Sequence, residues 1–254
     1  MEDITLTLDG IDYNFPLVFV RGTGGGHFLF GLENDLLKIT MNDFFISKYP
    51  VTQILWKYIM GDNPAQSVND NKPVENVSYL DIVSVGGFLE KINSHESTDQ
   101  INKQIEHANH LKFRLPSETE WEYAARGGIY WGDYFLYSGS DNMDDVGWSR
   151  RNGGDECKEV GLKKPNQLGI HDMSGNIWEW CLDYYHENTT KIPRDGLPCM
   201  EESSERVLRG GCFHNFGAHC TVTKRYQINP EYKDPCIGFR LVLSINFPSS
   251  EFLE

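Results

Sequence analysis

Several familiar signatures are missing from this chain. Basic residues are scarce: 23 Lys+Arg face 37 Asp+Glu in 254 residues, a formal net charge of −14. Proteins that grip nucleic acid non-specifically neutralise phosphates with Lys and Arg, so that class is excluded. No window approaches the roughly 20 consecutive apolar residues of a membrane helix, so no membrane insertion is expected. The start, Met1-Glu2-Asp3-Ile4, lacks the basic and then apolar regions of a secretory signal. No export address is therefore expected in the chain as given, and display at a surface would need a processed or trimmed N-terminus. There is no tandem repeat and no low-complexity linker. The six cysteines, at 157, 181, 199, 212, 220 and 236, contain no Cys-x-x-Cys pair of the kind zinc ribbons use. A chain this long does not need staples, so they read as buried thiols packed as small hydrophobes. One or two disulfides stay open as the alternative for an exported protein.

What is present points to a folded chain: 39% hydrophobic and 13% aromatic residues are too apolar for disorder. Ile4, Leu6 and Leu8, then Phe15, Leu17 and Phe19, alternate with polar residues at the period of half-buried strands. Gly22 and Gly24-Gly25-Gly26 read as a turn, not a phosphate loop, because no Lys-Ser/Thr follows. A strand is expected over Phe44–Pro50, and a helix from an N-cap at Thr52 through Met60. A second helix is expected over Tyr79–Ile92 with Ser78 as N-cap, and the polar stretch Asn93–His110 reads as an insertion or loop. Ser117 opens a third helix over Glu118–Arg126, with Glu120 placed for a capping box and Gly127-Gly128 as its stop. Beyond Gly128, short apolar runs alternate with Gly, Asn, Asp and Pro. The expected class is α+β, with two or three helices, short strands and much irregular structure. Residues 1–45 supply N-terminal strands to the same domain as 46–254.

The stretch from Ile46 to Val242 resembles the formylglycine-generating-enzyme-like branch of the C-type lectin fold. The resemblance rests on motifs in order: Ile46-Ser-Lys-Tyr-Pro-Val-Thr52, Pro73-Val-Glu-Asn-Val-Ser78, the run Phe113 to Gly128 around Glu-Thr-Glu-Trp121-Glu-Tyr-Ala-Ala, the run Asn166 to Trp180 around Gly175-Asn-Ile-Trp-Glu-Trp, then Val207-Leu-Arg-Gly-Gly211 and Ile237-Gly-Phe-Arg-Leu-Val242. Trp121, Trp178 and Trp180 suit the locking of irregular loops. Arg114, Glu118, Glu122 and Arg126 read as buried ion pairs holding those loops, since a general acid/base pair needs more than spacing.

The resemblance implies two kinds of chemistry to weigh. In the enzyme branch, the turn matching Asp172-Met-Ser-Gly-Asn-Ile-Trp-Glu179 holds a structural calcium. The corresponding ligands here would be the side chains of Asp172 and Glu179 and the carbonyls of Gly175 and Ile177, an oxygen set that suits calcium. A hydrogen-bonded turn without metal is the alternative, and no cofactor is otherwise required. The same branch performs a thiol- and copper-dependent oxidation, with active cysteines just beyond Arg-Gly-Gly. Here that segment reads Arg209-Gly-Gly-Cys-Phe-His-Asn-Phe-Gly-Ala-His-Cys220, and the matching positions hold His214 or Asn215, and His219. A formylglycine-generating-type oxidase acting on a protein cysteine is the disfavoured alternative. The iron-dependent, sulfur-transferring relatives carry a separate helical ligand domain, and this sequence shows none.

The preferred expectation is a non-enzyme. The chain resembles the variable proteins of diversity-generating retroelements, ligand-binding proteins in which the segment between Arg-Gly-Gly and Gly-Phe-Arg is hypervariable and exposed. Scaffold residues Arg209-Gly210-Gly211, Cys220, Arg225, Asn229-Pro230 and Gly238-Phe239-Arg240 are kept. Between them, across the segment 206–240, positions where ordinary relatives show Asn, Ser or Trp carry Cys212, Phe213, His214, Phe216, Ala218, His219, Tyr226, Ile228, Tyr232, Asp234, Pro235 and Cys236. Randomising the adenines of an AAC codon cannot give Lys, Gln, Glu, Met or Trp, and none of these positions holds one. Phe, Tyr and His are also contact groups that paratopes favour. Phe213 stands where the family carries Trp, and faces core or solvent on even grounds. The expected partner is a protein or other macromolecule, met by a monomer. The segment is mildly basic, six Lys+Arg against two Asp+Glu, so the acidity lies in the scaffold.

Overall fold

The computed structural model describes residues 2–8, 13–32, 35–105 and 111–244. Apolar alternation shapes the N-terminal part. Strands β1 (Ile4–Thr7) and β2 (Asn14–Val20) pair antiparallel, with Ile4 opposite Leu17 and Leu6 opposite Phe15, and these four side chains are buried. After the glycine turn, β3 (Phe28–Phe30) and β4 (Leu37–Ile39) form a hairpin. Strand β5 (Phe44–Ser47) then pairs with β2. It ends before the expected Pro50, because the Ser47 hydroxyl donates to the Tyr49 carbonyl at 2.7 Å and the chain turns there.

Helix α1 (Gln53–Met60) has Thr52 at its N-cap position and Gly61 in the left-handed region at its C-cap, as expected, but the Thr52 hydroxyl pairs with that of Tyr13 and makes no capping hydrogen bond. The helix expected over Tyr79–Ile92 is two helices, α2 (Tyr79–Val83) and α3 (Phe88–Asn93). Ser78 caps the first in a box with Asp81. The break lies at Ser84–Gly87, where Gly86 has φ +77° and a side chain at Gly87 would meet the Ser84 carbonyl at 2.7 Å. The stretch read as a loop holds a further helix, α4 (Glu96–Gln104). Ile101 and the adjoining Ile105, one helical turn apart, are buried, and that suffices to seat an otherwise polar segment. Residues 106–110 of that stretch lie outside the described residues.

Next come β6 (Phe113–Arg114), α5 (Glu118–Ala125) and the short α6 (Met143–Val146). The capping box of Ser117 and Glu120 is formed as read from the sequence. A long irregular stretch then leads to β7 (Trp178–Tyr184), β8 (Arg206–Arg209), β9 (Arg225–Ile228), β10 (Ile237–Gly238) and β11 (Val242–Ser244). The described residues thus hold six α-helices, more than the two or three expected, through the split of one and the seating of α4 and the one-turn α6.

One sheet has the order β1-β2-β5-β11-β6 and a second β10-β7-β8-β9. The N-terminal strands therefore share a sheet with the C-terminal β11, which joins the two ends of the chain in one body. Irregular loops are locked between the sheets by buried tryptophans. The Trp121 indole donates to Glu179 at 2.6 Å and that of Trp180 to the Val77 carbonyl at 3.1 Å.

Candidate functional site

The site is built on β8 and its continuation. Arg209, at the end of β8, is fully buried. Its guanidinium donates to Glu118 at 3.1 Å and Glu122 at 2.6 Å on α5, and to the carbonyl of Val222 at 2.7 Å. Arg225 donates to both Glu118 oxygens at 2.7 Å and to the His186 carbonyl at 2.9 Å. The two guanidinium groups hold the Glu118 carboxyl below the usual carboxylate range against the cost of its burial. Arg126 closes the network on Glu122 at 2.9 Å, and Arg114 pairs with Glu120 at 2.6 Å. The ion pairs read from the sequence are therefore real, and they are structural.

The segment that follows turns at Gly210-Gly211. Gly211 has φ +76°, and a side chain there would meet the His219 carbonyl at 2.6 Å, so the tight return to Cys220 requires glycine. From there the segment is tied down by main-chain atoms. Phe213 N donates to Asn176 O, Val222 N to Leu136 O, Arg150 N to Asn215 O, Asn76 N to Asp234 O and Trp178 N to Cys236 O, at 2.7–3.1 Å. Strand β9 pairs along β8 from Arg206↔Ile228 to Arg209↔Arg225 and forms the open edge of its sheet.

The twelve expected contact residues divide into three groups. His214, Phe216, Ala218, His219, Tyr226 and Tyr232 are exposed, with Phe216 at 63%, Tyr226 at 45% and Tyr232 at 46%. Ile228, Asp234 and Pro235 are half-buried. Cys212, Phe213 and Cys236 are buried, at 2%, 1% and 8%, and lie beneath the face. The turn around Gly153 packs directly on Phe213, where a side chain at Gly153 would meet its Cβ at 2.8 Å. The exposed residues still rest on neighbours. The Arg150 guanidinium sits 4.9 Å over the Phe216 ring, Tyr226 stacks on Trp178 at 5.2 Å, and Tyr232 donates to Asp234 at 3.4 Å. The contacts that Arg150 and Trp178 make with these residues were not legible in the sequence, because nothing in a linear pattern marks a contact between residues about fifty or more positions apart. Also unforeseen is a groove of about 630 Å³ beside Ala218, walled by Leu136, Tyr137, Tyr185, Thr221, Lys224 and Arg225, a volume in the range of small-ligand sites.

The positions that would carry an oxidase thiol pair hold none. His214 and His219 point to solvent, and the Asn215 side chain accepts from Cys212 N at 3.0 Å. Cys220 is fully buried, and burial pushes its thiol up to about 12. All six cysteines are buried free thiols. Among the described residues no three His, Cys, Asp or Glu side chains are grouped to hold a metal.

At the turn weighed for calcium, Glu179 is already taken. Its oxygens accept from Arg240 at 2.6 and 2.8 Å and from Trp121, and Arg240 also reaches the Ser47 and His171 carbonyls. Asp172 accepts from Gly161 N at 2.8 Å through one oxygen, while its other oxygen is buried without a partner. Burial pushes that carboxyl up to about 6. Asp172 keeps one oxygen unpartnered; Glu179 would have to share oxygens with a guanidinium. With Gly175 and Ile177 these residues do not form a ready calcium set as placed, and Arg240 holds the turn through Glu179.

Among solved structures, Treponema denticola variable protein 1 is similar over 94% of this chain and 98% of its own, with a TM-score of 0.78 and 26% identity. PvdO from Pseudomonas aeruginosa shares the fold at a TM-score of 0.69 and 21% identity, over 90% and 94% of the two chains. Among curated relatives, chaperone protein LppX of Paenibacillus barcinonensis is 36% identical over 62% of this chain and 70% of its own. The formylglycine-generating enzyme of Streptomyces coelicolor is 32% identical over 56% of this chain, which spans half of that enzyme's length. The α+β fold expected from the ordered motifs is thus the fold the chain has. Residues 18–245 match the sulfatase-modifying factor enzyme 1-like domain, and the chain belongs to that family.

Proposed function

We propose that the chain is a ligand-binding protein of the retroelement variable-protein type, which presents residues 206–240 as a changeable surface to a protein or other macromolecular partner. The observation that carries this reading is how the segment is held. Backbone atoms and the buried Arg209 and Arg225 fix its course, while His214, Phe216, Ala218, His219, Tyr226 and Tyr232 stand exposed. A surface anchored in this way can change its side chains without losing its shape. Similarity to the Treponema denticola variable protein along almost the whole of both chains supports the reading. No helix among the described residues is long and apolar enough to cross a membrane. The binding face works without a catalytic group, and the protein acts as a monomer.

The DNA around the gene tests this directly. A reverse transcriptase and an imperfect repeat of the gene's 3′ end are expected nearby, with mismatches at adenines of the repeat falling in the codons of the exposed positions. Absence of both would sink the retroelement origin.

A further inference from the structure

Beside the exposed contact residues, a different set of residues builds the groove of about 630 Å³. Its walls come from four separate parts of the chain, around Leu32, Tyr137, Tyr185 and Thr223. Main-chain bonds pin them: Val222 N donates to the Leu136 carbonyl at 3.1 Å, Tyr137 N to Ser140 O at 3.0 Å and Ile192 N to Thr189 O at 3.0 Å. Of the twelve expected contact residues, Ala218 alone lines the groove. The lining is rich in unused hydroxyls. Tyr137, Tyr185, Thr189, Thr221 and Thr223 belong to it, and none of their hydroxyls has a hydrogen-bond partner among the described residues. Thr189 is only 9% exposed, yet its unpartnered oxygen is not sealed off from open space. A nearly buried polar group with no partner calls for an explanation, and a ligand in the groove supplies one.

The charges narrow the kind of ligand. Arg225 is spent on Glu118 and the His186 carbonyl. That leaves Asp35 and Glu187 against Lys224 in the lining. Charges of both signs favour no simple ion, but carboxylates accept from hydroxyls and an ammonium donates to them. Leu32 and Leu136, 62% and 48% exposed, add apolar surface. We propose that the groove is a second binding site, specific for a neutral mono- or disaccharide. The sugar hydroxyls pair with those of the tyrosines and threonines, with the two carboxylates and with Lys224, and the C–H face of the ring lies on the leucines. All walls except Ala218 lie outside the contact positions, so this specificity stays constant while the neighbouring face changes. The pinned walls also spare the site much of the ordering cost of binding.

The site stands on the groove alone; its place beside a changing face rests on the binding reading above. Saturation-transfer NMR on the full chain tests it, with the methyl glycosides of glucose, galactose and mannose, and with maltose, cellobiose and lactose. Transfer to the ring protons of at least one of these sugars is expected. Tyr185→Phe and Thr223→Val should each weaken its binding about fivefold. Both should leave the melting temperature unchanged, because neither hydroxyl has a partner among the described residues; a hydroxyl with a structural duty would show the reverse. Ala218→Phe, which narrows the groove from the side of the segment, should abolish binding. Replacing Phe216, Tyr226 and Tyr232 together by Ala should leave it unaltered. No transfer from any of the sugars overturns the site, as does transfer undiminished by combining Tyr185→Phe with Thr223→Val. Loss of transfer in the triple Ala variant overturns it too, by moving the sugar to the exposed face. Tighter binding of glucuronate or glucosamine than of methyl glucoside overturns the choice of a neutral ligand. A failed sugar experiment leaves the macromolecular reading standing, and a missing retroelement leaves the groove standing.

Discussion

Arg209 and Phe216 are separated by six residues and live under opposite rules. Arg209 is fully buried and spends its guanidinium on Glu118, Glu122 and the Val222 carbonyl. Phe216 is 63% exposed and rests only under Arg150. Both belong to one short stretch, yet the first is fixed by the charges it must satisfy and the second by almost nothing. The lesson is that this surface is specified from below. Its geometry comes chiefly from charged groups and peptide bonds, so its outer side chains carry little of the structural duty.

The comparison is broken most severely from the buried side. Arg209→Ala leaves Glu118 and Glu122 short of a countercharge in the interior and releases Val222, and is expected to cost about 4 kcal/mol in denaturant melts. A cost near that of a surface change would mean that the segment holds itself. Phe213→Ala should cost about 3 kcal/mol, because the Gly153 turn cannot collapse onto the space it leaves. It measures how far the buried layer extends beyond the arginines.

Acidity sharpens the same contrast from another direction. Asp183 donates nothing: it accepts from the backbone N–H groups of Glu118 and Cys199 at 2.7 and 2.8 Å. Burial, with Glu118 second, pushes its carboxyl up to about 7, as burial raises Asp172 to about 6. Both bind protons in the folded state at pH values where the unfolded chain has released them. Their contribution to stability is present in full below the ordinary aspartate value near 4 and is lost as pH rises from there through 6 and 7. A drop on the order of 4 kcal/mol between pH 5 and 8 is expected in thermal melts, and Asp172→Asn should flatten its lower part. As pH falls through the ordinary glutamate range, loss of the lowered Glu118 opposes this trend.

On the outer side the effects shrink. Phe216→Ala and Tyr232→Ala should each shift stability by about 0.5 kcal/mol or less, and Tyr226→Ala by about 1 kcal/mol through its stack on Trp178. A triple variant that melts far below the sum would place these rings in the core after all. The smallest expected effect is no effect: copper-loaded protein should leave a cysteine-containing peptide unoxidised, and robust turnover would restore the oxidase.

Much of this was legible before any coordinates. Ser117 with Glu120, Thr52 with Gly61, and the Arg–Glu pairs are local or chemically obligatory, so type and spacing suffice to read them. The break at Ser84–Gly87 and the seating of α4 were not legible, because each is decided by how two or three buried side chains meet a distant element. The layering of the segment belongs to the same class. Cys212, Phe213 and Cys236 look as changeable in sequence as Phe216, and only the packing of the Gly153 turn and of β7 puts them beneath the face. Asp172 and Glu179 read as partners for one cation, and the structure gives Glu179 to Arg240, about sixty residues further on, and Asp172 to the backbone of Gly161.

The hydrogen bond from Arg209 to the Val222 carbonyl has one more consequence. A clasp on a peptide oxygen does not register which residue it holds, but it does register how many residues were used to reach it. Cys220, returning against Gly211, counts the same distance a second time. The stretch between these clasps is free in the letters of its exposed positions and bound in its length. A library built on this scaffold would tolerate any substitution pattern at the exposed positions and would fail on a single insertion or deletion between Gly211 and Val222.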